Sequence, residues 1–129
     1  MRVRDAMSTT VLTVGPEHTL REAARRMANR GVGAAVVHDP DSQGTGILTE
    51  RDVLRAVGAG LDPDRERVGG HLTAELVYAT PDWTLAQAAE AMSRGGFRHL
   101  VVLDGPEVAG IVSVRDLMKA WSAEGVVTA

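Results

Sequence analysis

The chain has 129 residues and a formal charge of -3, with acids and bases interspersed, enough for one compact domain or two half-domains sharing a core. That balance leaves no nucleic-acid footprint, and the absence of cysteine excludes disulfides, thiolate metal sites and thiol catalysis. Aromatics are only 3%, so the core must be built from Val, Leu, Ile, Ala and Met. The opening Met1-Arg2-Val3-Arg4-Asp5 leads into no apolar run and no stretch approaches a membrane span, so a soluble cytoplasmic protein is expected.

In chain order, Val11-Leu12-Thr13-Val14 is a β-branched run ended by Gly15-Pro16 and reads as a strand. Thr19 is a candidate N-cap, and Glu22 three residues on completes a capping box. Leu20, Ala23, Ala24, Met27 and Ala28 then recur at helical spacing, and Asn29-Arg30-Gly31 is a helix stop. Ala34 to Val37 is short and apolar enough for a buried strand. The stretch Asp39 to Gly44 is turn chemistry, and Gly44-Thr45-Gly46 reads as turn. Gly46-Ile47-Leu48 is a third strand and Asp52 to Val57 a second helix. The polar stretch around Asp62-Pro63-Asp64 reads as a linker.

The pattern then returns. Leu76 to Ala79 is a strand, and Leu85, Ala88, Ala89 and Met92 line a helix that stops at Gly95-Gly96. His99 to Leu103 and Val108 to Val112 are strands around the turn Asp104-Gly105-Pro106. Val114 to Trp121 is the closing helix, and the remainder a weakly held tail. The return is literal. Pro16, Thr19, Leu20, Ala23, Ala24 and Met27 recur 65 residues later, and Gly46, Ile47, Arg51 and Asp52 recur 64 residues later. Such duplication has to be found before a fold is assigned. It predicts an α/β fold of two β-α-β-β-α repeats packed with pseudo-twofold symmetry: repeat 1 over 1–58, a linker over 59–67, repeat 2 over 68–121 and a tail over 122–129. Each repeat alone would bury too little surface to be stable, so duplication is partly a stability device.

The repeat resembles the cystathionine-β-synthase (CBS) domain, with T-L-x-x-A-x-x-x-M in its first helix and G-h-h-[ST]-x-x-D at its last strand-to-helix turn. Two in tandem look like a stand-alone Bateman module, and the likeness runs from Val3 to about Ala120. Val3 to Ser8 is similar to the family's entry segment, a short helical turn. Val68-Gly69-Gly70-His71 stands in its place in repeat 2, where two glycines weaken the turn. The resemblance implies adenosine-containing ligands (AMP, ADP, ATP or S-adenosylmethionine) bound in clefts between the repeats. It further implies a sensing role, an output through a partner protein, and a flat homodimer made through the helices.

Thr49-x-x-Asp52 and Ser113-x-x-Asp116 sit where a strand meets a helix N-terminus. There a hydroxyl and backbone N–H groups favour phosphate, and a carboxylate can take two hydrogen bonds from a ribose diol. The family uses this aspartate so. The same four residues also spell a capping box, in which the acid folds back onto the cap. Arg51 and Arg115 are matched and could fork onto a phosphate, or meet each other across a dimer. Arg98-His99 resembles the family's R-H-L-P, with Val101 in place of the proline. Repeat 1 has Gly33-Ala34-Ala35 there, so the two clefts should differ, one of them more basic. Thr10 and Val11, with Ala74-Glu75-Leu76 in repeat 2, occupy the stretch that holds adenine in the family. His18, His38, His71 and His99 have no metal-ligand spacing. No catalytic constellation is evident, so the expectation is a non-enzyme without a catalytic cofactor. Leu54, Leu117 and Trp121 are candidates for a helix interface, unless they close the internal core. The rival reading is a structural dimerisation or docking adaptor that binds no ligand. The effector protein is not legible, and membrane or nucleic-acid partners are not expected.

Overall fold

The computed structural model of the chain describes residues 1–39, 44–74 and 77–124. The predicted turn over 40–43, the residues Glu75 and Leu76, and the end of the tail over 125–129 lie outside the described residues. In chain order the elements are α1 (Val3–Ala6), β1 (Thr13–Val14), α2 (Leu20–Arg30), β2 (Ala34–Asp39), β3 (Gly44–Thr49) and α3 (Glu50–Gly58). A 3-10 turn (Val68–Gly70), β4 (Tyr78–Ala79), α4 (Leu85–Gly95), β5 (His99–Asp104), β6 (Glu107–Ser113) and α5 (Val114–Ala123) follow. Two three-stranded sheets result, ordered β1-β2-β3 and β4-β5-β6. In each, the first pair is parallel and the second antiparallel. The architecture is therefore mixed α/β and duplicated.

The chain forms two compact units, Val11–Leu76 and Met1–Thr10 with Val77–Ala129. Each unit takes its entry segment from the stretch that precedes the other repeat. In the first, the Val68 side chain is fully buried, and its N–H donates to the His18 carbonyl at 2.8 Å. In the second, Val3 is fully buried and its N–H donates to the Trp83 carbonyl at 2.8 Å. Further along, Thr73 and Ile47 exchange both backbone hydrogen bonds, and so do Ser8 and Ile111. Gly46 and Gly110 make this pairing possible. A Cβ on Gly110 would lie 2.5 Å from the Ser8 carbonyl oxygen; on Gly46 it would lie 2.7 Å from Leu72 Cδ1. The glycines that read as turn residues around position 45 thus belong to a strand, and at Gly46 glycine is there for close approach of the Leu72-Thr73 segment.

The elements follow local chemistry with small departures. The first strand is shorter than its β-branched run, covering Thr13–Val14 only. Gly31 (φ 65°) and Gly96 (φ 70°) end α2 and α4 in the left-handed conformation, as glycine stops should. The capping box predicted for α2 forms by half. Thr19 Oγ1 accepts from the Glu22 N–H at 3.2 Å, but the Glu22 carboxylate accepts from Arg26 at 2.9 Å instead of returning to the cap. The counterpart α4, where Ala91 stands at the position of Arg26, forms the full box between Gln87 and Thr84. Arg21, at the exposed start of α2, is hydrogen-bonded by Asp64, which raises its pKa.

Each unit has its own core. Leu12, Val14, Leu20, Ala23, Met27, Ala35, Val37, Leu48, Ala56 and Val68 fill the first. Val3, Ala79, Leu85, Ala88, Met92, Leu100, Val102, Val112, Leu117 and Ala120 fill the second. Burying each large aliphatic side chain is worth about 1.5–3 kcal/mol. Along β2, Ala34, Ala35, Val36 and Val37 are all buried. The strand is covered on both faces, which is why its sequence is an unbroken apolar run with no alternation. Leu117 is 2% exposed and Trp121 packs on the second core, so these two close the internal core. Leu54, by contrast, is 70% exposed.

Candidate functional site

In each sheet the start of the first strand, the start of the second and the end of the third lie at one end, because the first pair is parallel and the second antiparallel. Register places Ala34 opposite Thr49 and His99 opposite Ser113. The first unit thereby gathers Val11, Ala34, Thr49, Arg51 and Asp52 at one sheet end. The second gathers Arg98, His99, Ser113, Arg115 and Asp116. Thr10 is exposed and falls in the second unit's entry segment, separated from Val11 by the division between units. Ala74 is exposed.

The two strand-to-helix turns are near copies. Thr49 has φ −109° and ψ 162°, and Ser113 φ −110° and ψ 165°. The Thr49 N–H donates to Asp52 Oδ2 at 2.8 Å, and the Ser113 N–H donates to Asp116 Oδ2 at 2.8 Å. In return the Asp52 N–H donates to Thr49 Oγ1 at 3.2 Å, and the Asp116 N–H to Ser113 Oγ at 3.1 Å. Both complete capping boxes form. Their bonds to the aspartates run through one oxygen, Oδ2, and the Thr49 hydroxyl adds a 3.0 Å bond to the same atom. Both aspartates are half-buried.

The first helical N–H is also occupied. Glu50 N–H donates to the Gly33 carbonyl at 2.9 Å, and Val114 N–H to the Arg98 carbonyl at 3.0 Å. The first and third N–H groups of each helix are thus engaged within the protein, leaving side chains to supply most of what a bound anion would meet. The backbone role of Gly33 and Arg98 was not visible from the sequence, since a carbonyl has no residue signature. Repeat 2 adds to this geometry an exposed Arg98 and a half-buried His99, where repeat 1 has Gly33 and Ala34. Arg51 and Arg115 are exposed on the first helical turns. Val77, 46% exposed just before β4, lines with Trp83 and Phe97 a groove of about 490 Å³ on the flank of α4. Among the described residues no three His, Asp or Glu side chains are grouped to hold a metal, and no helix is long and apolar enough to cross a membrane.

A duplicated α/β chain with a capped serine or threonine turn closing each repeat defines a class of tandem-repeat α/β proteins. The family model of the CBS domain matches residues 3–59 and 68–123, so the chain belongs to the CBS-domain family and carries two tandem copies. It is similar to the CBS domain-containing protein YhcV of Bacillus subtilis, at 37% identity over 118 residues, covering 89% of this chain and 81% of that one. Among solved structures it resembles a protein with CBS domains from Burkholderia ambifaria, with a TM-score of 0.90 and 31% identity, covering 99% of this chain and 98% of that one. It also resembles the CBS domain protein PAE2072 from Pyrobaculum aerophilum, solved in complex with AMP. There the TM-score is 0.80 and the identity 26%, covering 95% of this chain and 99% of that one.

Proposed function

We propose that this chain is a homodimeric, non-catalytic sensor that binds an adenine nucleotide at the end of the second repeat's sheet and passes its occupancy to a partner protein. The observation that carries the reading is the asymmetry between two otherwise equal turns. Both present a half-buried aspartate beside a helix N-terminus, but only the second adds Arg98 and His99. A carboxylate suits the ribose diol, and a guanidinium suits phosphate. The complex of the Pyrobaculum protein with AMP supports the ligand class. For Asp116 to serve a sugar, its carboxylate has to share or release the cap on Ser113. The first-repeat turn, lacking the basic pair, is left for a neutral ligand or none.

Isothermal titration with AMP, ADP, ATP and S-adenosylmethionine tests this. One adenosine ligand should bind and be recovered unchanged. Arg98→Ala should weaken it about tenfold or more, the loss of one charge-assisted hydrogen bond. Asp116→Asn, which keeps an oxygen for the Ser113 cap, should also weaken it, while Asp52→Asn should not. The adaptor reading is favoured by one fact, that both aspartates already have partners in their caps. Absence of binding by every ligand, with assembly intact, would establish it.

A further inference from the structure

The entry segments of the two units match bond for bond in their backbones and differ in their side chains. Val68 N–H donates to the His18 carbonyl at 2.8 Å, Gly69 to Pro16 at 2.9 Å, Leu72 to Val68 at 3.0 Å and Thr73 to Ile47 at 2.9 Å. At the matched positions Val3, Arg4, Met7 and Ser8 donate to Trp83, Pro81, Val3 and Ile111 at 2.8, 3.1, 2.9 and 2.9 Å. Even the arginine ahead of each segment makes the same contact, Arg67 Nη1 with the Glu17 carbonyl and Arg2 Nη1 with the Asp82 carbonyl, both at 2.6 Å. A difference in how firmly the two segments close therefore comes from their side chains, above all Gly69-Gly70-His71 against Arg4-Asp5-Ala6.

In the second unit Arg4 pairs with Asp82, and the Asp5 carboxylate accepts from the Arg2 N–H at 2.8 Å, closing a capping box on a turn of α-helix. In the first unit both positions are glycine and the turn is 3-10. Glycine supplies neither bond and loses more conformational freedom on closing than other residues. Gly69 has a packing reason, since a Cβ there would lie 3.2 Å from Pro16 Cβ and 3.3 Å from the Pro16 carbonyl oxygen. Gly70 has none: a Cβ there would meet nothing within 4 Å, and its φ lies outside the left-handed region. What fastens this segment instead is His71, whose Nε2 lies 2.8 Å from Glu66 Oε1, both side chains being partly exposed. Glu66 is itself anchored, its carbonyl accepting from the Leu20 N–H at 2.9 Å at the start of α2.

We infer that the segment Val68–Thr73 opens as a local unit, latched by His71 on Glu66, while its counterpart Val3–Ser8 stays closed, and that this opening regulates the Thr49 turn. The link is β3. Thr73 and Ile47 exchange both backbone hydrogen bonds, so the closed segment gives β3 an outer partner two residues before Thr49. The Thr49 N–H in turn holds Asp52 Oδ2. Opening removes that outer partner and loosens the strand end on which the cap is built. Elements of low local stability are the ones that binding events order. The first repeat, which lacks the basic pair, thereby has a regulatory part of its own, whichever ligand the second repeat takes.

Hydrogen exchange of the whole chain, followed by NMR under native conditions, tests this. After correction for intrinsic rates, the amides of Val68, Gly69, Leu72, Thr73 and Ile47 should exchange at least about tenfold faster than those of Val3, Arg4, Met7, Ser8 and Ile111. Gly70→Ala should slow the first group about two- to fivefold and leave the second unchanged. The Thr49 amide should slow with it, and the Ser113 amide should not. His71→Ala and Glu66→Ala should each speed the first group several-fold, and the double variant should be no faster than either. Equal protection of the two groups would overturn the local opening. A Thr49 amide indifferent to Gly70→Ala would overturn its coupling to the turn. Single variants without effect, or losses that multiply in the double variant, would overturn the His71–Glu66 latch.

Discussion

Helices α2 and α4 do the same structural work with different surfaces. Both start at a threonine cap, both bury Leu, Ala and Met at matched positions, and both stop at a left-handed glycine. Their solvent faces share almost nothing, arginines on one and alanine, glutamate and glycine on the other. The strand-to-helix turns teach the same lesson in reverse. Their backbone angles and caps agree to a few degrees and a tenth of an ångström, yet one is flanked by Gly33-Ala34 and the other by Arg98-His99. What the repeats share is what folding needs. What they do not share is free to vary, and that is where the Arg98-His99 pair lies.

The comparison breaks most readily in the cores. Leu20→Ala and Leu85→Ala, at matched buried positions, should each cost about 2–5 kcal/mol, measured by urea unfolding. If the units are energetic equals as well as geometric ones, the two losses should agree within about 1 kcal/mol. The entry segments sharpen it next. Gly110→Ala sets a methyl 2.5 Å from a backbone oxygen, whereas Gly46→Ala meets first the flexible end of Leu72. Gly110→Ala should therefore cost about 1–3 kcal/mol and expose the Ser8 amide to hydrogen exchange. Gly46→Ala should cost less and leave Ser8 protected. Smallest are the caps. Thr49→Ala and Ser113→Ala should each lose about 1 kcal/mol; a clearly larger loss at one turn, again by urea unfolding, would show that the two are not equivalent.

Much of this was legible in the sequence because it depends on neighbours. The caps at Thr19, Thr49 and Ser113, the glycine stops and the helical stripes are set within a few residues, and the 65-residue echo declared the duplication. The CBS-domain assignment rested on the same residues. The failures share a cause as well. Gly44-Thr45-Gly46 read as turn because the reason for the glycine at 46, the passage of the Leu72-Thr73 segment, lies more than 20 residues away. The Glu22 side chain left its cap for Arg26, a choice between two local partners that spacing could not rank.

The sequence by itself determined the elements, their duplication and the family, since local hydrogen bonding and the 3.6-residue and two-residue periods are written in adjacent residues. Only the tertiary structure decided which entry segment serves which unit. It alone sent Leu117 and Trp121 into a core while leaving Leu54 on the surface. An apolar stripe states that a face wants covering, but what covers it depends on segments distant in the chain, and distance in sequence carries no local signal.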